Sequence, residues 1–306
     1  MLKVLIWQVS DDTRLKDKAI KILEQQHNGI EIVGEAVNEN IAKVDGGGQY
    51  DVLLCVGAKK AGNMSKVTAD AYKLGLPEEK LLGDWIACIP GFTLKKYRHL
   101  QRSRLSIFSK NCFGGVISHT LGLVYRSPFV NLDVPEPSFM KFLSAPHTYM
   151  EKEFRFAQWV GQPSPINPHG LPRFFLDNLV FNMVHYKEID ECSEKWMSRK
   201  QRINWYNILV VMHTNSLETL QQFDELPFGK KVCFVPFPSD LDSAFYINPK
   251  LYNKPINSRV IEAMSINFAY GHVFYYDPFD MLLYGKKTPL IDMDYNETYL
   301  IPNSFY

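Results

Sequence analysis

The sequence predicts an α/β protein built from two Rossmann-like units, each a three-layer α/β/α sandwich around a mainly parallel sheet. Short apolar runs rich in β-forming residues alternate with amphipathic helical stretches, the pattern of parallel sheets covered by helices. The length of 306 residues suits about two domains. Because Pro90-Gly91 interrupts the alternation, we expect a Rossmann-like domain at residues 1–100 and a larger α/β domain at residues 101–306.

The N-terminal domain is expected to contain four short strands. They are the apolar runs at 4–7, 30–33, 52–56 and 80–82. Apolar residues at helical spacing predict helices at 15–26 and 69–74. Residues 85–89 are expected to be extended chain that leads out of the domain, and the glycines at 46–48 to be a flexible connection rather than a ligand loop.

The second domain repeats the alternation of strands and helices. The predicted strands are 105–109, 208–212, 232–235 and 273–276, with a further apolar, β-rich stretch at 174–184. The predicted helices are 114–121, 139–143, 189–202, 217–226 and 259–268. Near-continuous apolar runs such as 208–212 are typical of strands buried on both faces of a sheet.

Composition excludes several classes of protein. Hydrophobic residues make up 46% of the chain and charged residues 22%, as in folded globular proteins. With 34 basic and 33 acidic residues, the formal charge of +1 gives no indication of a nucleic-acid partner. The longest uncharged stretches are shorter than the ~20 residues that span a bilayer. The five scattered cysteines lack a CxxC spacing and no export signal is visible, so we expect reduced thiols, no metal site and a cytoplasmic location.

The charge is unevenly distributed near the expected domain boundary. No Asp or Glu occurs in the 48 residues between Asp84 and Asp133. The basic residues in this window are Lys95, Lys96, Arg98, Arg102, Arg104, Lys110 and Arg126. Two interpretations stay open, a solvated basic linker and a segment that binds an anionic ligand.

A polar loop at residues 109–115 lies between a predicted strand and a predicted helix. Ligands of open parallel sheets bind at the carboxyl ends of strands, and helix N-termini favour anions. The backbone N–H groups of Gly114 and Gly115 are therefore expected to hold a phosphate. The candidate ligand-binding residues of this loop and the following helix are Ser109, Asn111, Gly114, Gly115 and His119. The loop matches neither a Walker P-loop nor GxGxxG, so an ordinary turn is the alternative.

Cys112 is a candidate catalytic nucleophile. A thiol near a helix N-terminus and close to Lys110 would have its thiolate form stabilised. A nucleophilic cysteine also needs a histidine nearby as its base. The sequence places neither His119 nor His185 beside the thiol. A buried structural cysteine is the alternative.

A second candidate cluster follows the β-rich stretch. Its residues are His185, Tyr186, Trp196, Arg199, Arg202 and Asn204. Spacings of three place Trp196, Arg199 and Arg202 on adjoining parts of one helical face. The arginine fork matches phosphate or carboxylate, and an aromatic ring stacks on a sugar or base. The alternative is an amphipathic helix whose arginines pair with acids on its own surface.

The first strand is not followed by a dinucleotide-binding turn. Residues 8–13 contain no glycine, and Asp11 and Asp12 would repel a pyrophosphate. Glu35 stands where a ribose-binding acid is expected, without the rest of the pattern. We therefore predict no bound cofactor. The Asp-x-Asp tripeptides at 240–242 and 292–294 are as frequent as chance allows and are not part of the candidate site.

The residues of the second domain resemble those of a known family. The matching stretches are 107–115, 121–123, 125–130, His185-Tyr186, Trp196, Arg199, 202–204 and 226–228. This pattern, over about residues 104–236, is similar to an uncharacterised bacterial family whose members are often labelled exopolysaccharide biosynthesis protein. The family pattern often has Trp where this chain has Phe113. The label implies a link to surface polysaccharide, without an established reaction. The first hundred residues are similar to Rossmann-like modules attached to sugar and capsule enzymes.

These observations together lead us to expect a transferase, similar to a glycosyltransferase, in exopolysaccharide or capsule assembly. A nucleotide-sugar or other phosphorylated donor would lie in a cleft beside the basic segment and the 109–115 loop. Arg199 and Arg202 would hold phosphate, and His185 would be the base. Acyl transfer through Cys112 and a non-catalytic sugar-binding or scaffolding role stay open as alternatives. The expected partner is a small anionic or sugar ligand, without nucleic acid or a membrane span, and the oligomeric state stays open.

Overall fold

A computed structural model describes residues 1–44, 49–59, 63–163, 168–249 and 258–292. It is a mixed α/β structure with mainly parallel sheets, which confirms the predicted fold class. The glycines at 46–48 and the last two residues of the tripeptide at 292–294 lie outside the described residues. The chain forms two compact units. Unit 1 comprises Met1–Ser103 and Ser118–Val124, and unit 2 comprises Arg104–Ile117 and Tyr125–Tyr306.

The strands and helices are numbered in chain order. The strands are β1 Leu2–Gln8, β2 Ile30–Val37, β3 Val52–Val56, β4 Leu81–Gly83, β5 Ser106–Ser109, β6 Phe154–Val160, β7 Leu171–Leu176, β8 Leu179–Asn182, β9 Ile208–His213, β10 Lys231–Val235 and β11 Ala244–Tyr246. The helices are α1 Lys16–Gln26, α2 Ile41–Val44, α3 Asn63–Lys73, α4 Asp84–Ala87, α5 Leu94–Arg102, α6 Phe113–Thr120, α7 Glu136–Ser144, α8 Pro146–Met150, α9 Ile189–Lys200, α10 Leu217–Asp224, α11 Ser258–Ala269 and α12 Pro278–Tyr284.

Unit 1 contains a parallel sheet with the strand order β2-β1-β3-β4. All five residues of β3 are buried, as expected for a central strand covered on both faces. Helix α1 buries Ala19 and Leu23, one helical turn apart. The chain adds β2 on one side of β1 and then adds β3 and β4 on the other side. Open sheets of this kind usually bind ligands at such a point, which here lies between β1 and β3.

Protein groups occupy the turns at that place in unit 1. Ser10 Oγ donates to Gly57 O at 3.0 Å, and Gly57 N donates to Asp84 Oδ2 at 3.0 Å. Gly57 has a φ of 77°, and a Cβ there would lie 2.2 Å from Ser10 Oγ. Glu35 lies two residues before the end of β2 and pairs with Lys16 at 2.5 Å. These contacts are a physical reason against pyrophosphate binding at this turn.

Unit 2 contains two sheets. The parallel one has the order β5-β9-β10-β11, and the other is an antiparallel sheet of β6, β7 and β8. Between them lies an aromatic core that includes Phe108 of β5, Phe129, Phe181 of β8 and Trp196 of α9, each at most 1% exposed. Burial of such rings is a main source of stability for a domain.

The structure differs from the sequence prediction at several elements. Residues 84–87 form helix α4 rather than extended chain, and of the strand expected at 273–276 only an isolated bridge from Tyr276 to Pro289 is present. Helix α5 was not predicted, although its Thr93 N-cap accepts a hydrogen bond from Lys96 N. The β-rich stretch forms two antiparallel strands, with β6 as an unpredicted partner. The edge strand β11 of the parallel sheet in unit 2 was not predicted either.

Candidate functional site

The carboxyl ends of β5 and β9 bring polar side chains together in unit 2. The two strands are parallel neighbours, and Ser109 pairs with Val211. The chain continues from β5 into Lys110 and Asn111, while β9 ends at His213. Because parallel strands end at the same edge of a sheet, residues about a hundred positions apart become neighbours here. We call Lys110, Asn111, His213 and Ser265 the carboxyl-edge cluster.

Lys110 and His213 form the centre of the carboxyl-edge cluster. Lys110 Nζ lies 3.0 Å from His213 Nε2. The imidazole is only 4% exposed. Burial, and secondarily the positive charge of Lys110, lowers the pKa of His213 to about 3. The ring is therefore neutral near pH 7, and a neutral nitrogen can accept a hydrogen bond from the lysine.

Asn111 is the buried link between the loop and helix α11. Its Nδ2 lies 3.3 Å from Ser265 Oγ of α11 and 3.5 Å from His213 Nδ1. Its Oδ1 accepts a hydrogen bond from Phe113 N at 3.1 Å. The amide is thus held from both ends, and its polar atoms bind protein groups. The hydrogen bond from Phe113 N to Asn111 is of the kind made by helix N-caps. Asn111 therefore caps the start of α6 and also positions the carboxyl-edge cluster.

The two glycines of the loop serve the packing of helix α6. Gly114 N donates to Ser109 Oγ at 3.0 Å, and Ser109 Oγ in turn donates to Asn111 O at 2.8 Å. A Cβ at Gly114 would lie 2.8 Å from Ser109 Oγ, and one at Gly115 would lie 2.8 Å from Val130 Cγ1. Close packing therefore accounts for both glycines. The N–H of Gly114, expected to bind phosphate, already has a protein acceptor.

Cys112 lies in surroundings that disfavour its thiolate. Its Sγ donates to Leu132 O at 3.7 Å. Burial, followed by the negative charges of Asp133 and Glu262, raises the pKa of Cys112 to about 12. The helix terminus expected to lower this pKa is outweighed.

His119 belongs to a different unit from the loop that it was expected to assist. Its Nδ1 lies 3.2 Å from Ser65 of unit 1. Burial lowers its pKa. His185 is exposed, while the preceding residue, Val184, donates its N–H to Asn131 O at 2.9 Å. No hydrogen bond within the described residues joins either imidazole to the carboxyl-edge cluster.

Three residues of the second predicted cluster hold unit 2 together. Trp196 is 1% exposed and stacks on Phe154, with ring centroids 4.0 Å apart. Tyr186 Oη donates to Val130 O at 3.1 Å and accepts from Arg199 Nη1 at 2.5 Å. The Arg199 guanidinium is 8% exposed. These contacts give Trp196, Tyr186 and Arg199 structural roles in the core.

Arg202 and Asn204 lie at the opposite end of β5 from the carboxyl-edge cluster. Asn204 N donates to Ser106 Oγ at 2.8 Å, at the first residue of β5. Arg202 Nη1 donates to Tyr125 O at 3.3 Å. A strand of four residues separates its ends by about 10 Å. Arg202 and Asn204 therefore lie at one end of the sheet, whereas Ser109 and Asn111 lie at the other.

Two members of the carboxyl-edge cluster, His213 and Ser265, were not predicted from the sequence. His213 directly follows the predicted strand 208–212, so its position at a carboxyl end was a usable signal. Ser265 lies within α11, and nothing local distinguishes it from a solvent-facing serine. Its proximity to Asn111 arises only from the packing of distant segments.

Neither a membrane-spanning helix nor a cluster of metal ligands is found among the described residues. No helix there is both long enough and apolar enough to cross a membrane. In the same part of the chain, His, Cys, Asp and Glu side chains form no group of three or more that could hold a metal ion.

Comparison with known proteins identifies the family. The chain is 32% identical over 155 residues to an uncharacterized protein of Haemophilus influenzae, an alignment that covers 49% of this chain and 71% of that protein. A family model described as a domain of unknown function, DUF1919, matches residues 87–284. This range includes every member of the carboxyl-edge cluster and most of unit 2. The chain therefore belongs to the DUF1919 family.

Proposed function

We propose that unit 2 is a transferase that binds a phosphorylated sugar donor at the carboxyl-edge cluster. The observation that carries the proposal is the contact of Lys110 Nζ with the buried, neutral His213. The position of the cluster at the carboxyl ends of parallel strands favours a ligand there. The resemblance to proteins labelled exopolysaccharide biosynthesis supports a sugar as the transferred group.

Lys110 is the residue proposed to bind the phosphate. The lysine is partly exposed, so its ammonium can reach a ligand. No carboxylate within salt-bridge distance competes for it among the residues that the structure describes. His213 positions it without adding charge, because burial keeps the imidazole neutral.

The proposed base is a carboxylate rather than His185. Asp133 and Glu262 come from segments that contact the carboxyl-edge cluster. Val134 N, directly after Asp133, donates to Lys110 O at 2.8 Å, and Glu262 O accepts from Ser265 Oγ at 2.7 Å. A carboxylate can take the proton of an acceptor hydroxyl as it attacks the sugar. The sugar is transferred to that oxygen, and the donor leaves as the phosphate held by Lys110. Asp133→Asn and Glu262→Gln are expected to lower kcat with little change in KM for the donor.

The two alternatives predict different behaviour. Acyl transfer through Cys112 needs an accessible thiolate, which the raised pKa of this half-buried thiol opposes. A non-catalytic sugar-binding or scaffolding protein would use the same lysine to bind the ligand but would show no turnover.

Calorimetry with a panel of uridine, guanosine and cytidine nucleotide-sugars tests the proposal. Lys110→Gln should weaken donor binding by about tenfold or more, since it removes a charge-assisted hydrogen bond. The control is Lys141→Gln, which changes an exposed lysine of α7 in the same unit. Release of the nucleotide on addition of oligosaccharide acceptors then separates a transferase from a binding protein. Failure of every donor to bind, or equal loss in both variants, would contradict the proposal.

A further inference from the structure

Three arginines from distant parts of unit 2 meet at the amino ends of β5 and β9. Arg104 precedes β5, Arg126 follows α6, and Arg202 follows α9. The first two come from the acid-free segment, and the third from the predicted helical face. We propose that Arg104, Arg126 and Arg202 bind a phosphate or pyrophosphate group, at a site separate from the carboxyl-edge cluster. This inference does not rest on the proposed transferase function.

A hydrogen-bond network fixes the three backbone segments next to one another. Ser106 Oγ donates to Arg126 O at 2.8 Å and accepts from Asn204 N at 2.8 Å. Asn204 Nδ2 donates to Arg104 O at 3.1 Å. Arg202 Nη1 donates to Tyr125 O, directly before Arg126. The backbone positions of the arginines are therefore set by a network of four hydrogen bonds, two of them half-buried and two exposed.

The charges of the three arginines are not balanced by salt bridges in the part of the chain that the structure describes. Within the described residues, no carboxylate lies within salt-bridge distance of Arg104, Arg126 or Arg202. Burial, followed by the positive charges of Arg104 and Arg202, lowers the pKa of Arg126. Like charges brought together in this way repel one another, and an anion would relieve that repulsion. Three of the five N–H groups of Arg202 donate to protein oxygens, from Nε and Nη2 to Ser198 and from Nη1 to Tyr125, which leaves two for an anion. Guanidinium groups bind phosphate oxygens through several N–H donors, which favours phosphate over a simple halide.

Two further features support an anion-binding site at these arginines. Arg104 has a φ of 51°, in the left-handed region that glycine or asparagine adopts at lower cost. The turn by itself would favour glycine or asparagine, so the arginine side chain is better explained by a role in binding an anion. The Arg199 guanidinium lies 5.2 Å from the centroid of the Tyr125 ring, which adds a fourth positive charge behind the turn.

Pyrophosphate binding in the Lys110→Gln protein tests the inference, because this background removes the lysine proposed to bind phosphate at the other end of the sheet. We expect calorimetric binding that Arg126→Gln and Arg202→Gln each weaken by about tenfold. The matched control is Arg155→Gln, an exposed arginine of β6, which should leave the affinity unchanged. Arg202 is exposed, so its substitution tests the site even if Arg126→Gln affects folding.

Vesicles identify the source of the phosphate. Co-sedimentation with phosphatidylcholine vesicles containing phosphatidic acid, lost in Arg202→Gln and absent with phosphatidylcholine alone, would assign the site to a lipid headgroup. Binding of soluble pyrophosphate without vesicle binding would assign it to a soluble ligand. Absence of both, or binding that survives the Arg126 and Arg202 substitutions, would overturn the inference.

Discussion

Lys110 Nζ lies 3.0 Å from Nε2 of His213, a contact between the carboxyl ends of two adjacent parallel strands. The imidazole in this pair is buried and neutral, and the lysine is partly exposed. A neutral buried partner orients the cation without cancelling its charge. This arrangement is suited to binding an anion, and it makes unit 2 sensitive to acid.

Acid is expected to destabilise the protein through His213. The folded-state pKa is about 3, whereas an unfolded histidine titrates near 6.5. Below about pH 6.5 the unfolded state binds a proton that the folded state does not. Stability is therefore lost as pH falls, by about 1.4 kcal/mol per pH unit between about pH 6 and pH 4. The measurement is urea unfolding at several pH values.

The His213→Gln variant is the control for that pH dependence. It lacks the titrating group, so its free energy of unfolding should fall less steeply with acid than that of the wild-type protein. Carbon-13 or proton NMR of the imidazole gives an independent check. A His213 signal that titrates near pH 6.5 in the folded protein would contradict the prediction.

Cys112 is expected to be an unreactive thiol. With a pKa of about 12, its thiolate fraction at pH 7 is about a thousandfold below that of a free cysteine. Iodoacetamide labelling followed by peptide mass spectrometry should therefore show slow modification that increases up to strongly alkaline pH. Cys112→Ser should retain donor binding. Rapid labelling at pH 7 would revive acyl transfer as the reaction.

Trp196 is expected to contribute to stability and not to ligand recognition. The indole stacks on Phe154 and meets Phe181 edge-on, with centroids 5.2 Å apart in the second pair. Trp196→Ala should cost about 3–5 kcal/mol of unfolding free energy by urea denaturation. Met197→Ala, at a neighbouring position that is 50% exposed, should cost far less. Similar losses in the two variants would argue against the core role.

Gly115 is expected to be required by its contact with Val130. An added Cβ would lie 2.8 Å from Val130 Cγ1, so Gly115→Ala should cost about 1–3 kcal/mol through overpacking. Val130→Ala removes the clashing methyl, and the double variant should recover part of the loss. A double-mutant cycle by chemical denaturation measures this coupling. Additive losses would mean that the glycine serves another purpose.

Much of the fold was predictable because it is encoded locally. The apolar run at 52–56 coincides with β3, and residues 110–112 of the polar loop lie between β5 and α6, while Phe113, Gly114 and Gly115 form the first turn of α6. Unit 2 was harder to predict. Its strands β7 and β8 form an antiparallel hairpin closed by Asp177 and Asn178, with a φ of 57° at Asp177, and β6 pairs with β7 across the ten residues between Val160 and Leu171. Hydrophobic periodicity identifies a β-rich stretch but not the turn that divides it into two paired strands.

The candidate site was only partly predictable. The sequence singled out Asn111 from its place after a strand, and the structure puts it in the carboxyl-edge cluster. Helical spacing also selected Trp196 and Arg199, which the structure places in the core with a stacked ring and a tyrosine partner. The spacing identified a shared helical face correctly. It could not indicate whether that face meets a ligand or other protein side chains.

The alternation of apolar strands and amphipathic helices was determined by the sequence alone, because hydrophobic periodicity acts over a few residues. So was the acid-free basic segment. Tertiary structure decided which polar groups meet: Lys110 and His213 are 103 residues apart, and parallel pairing of β5 with β9 joins them. It also separated Asn204 from Asn111 by the length of β5. Burial then set the pKa of His213, since desolvation depends on everything packed around a group and not on its sequence neighbours.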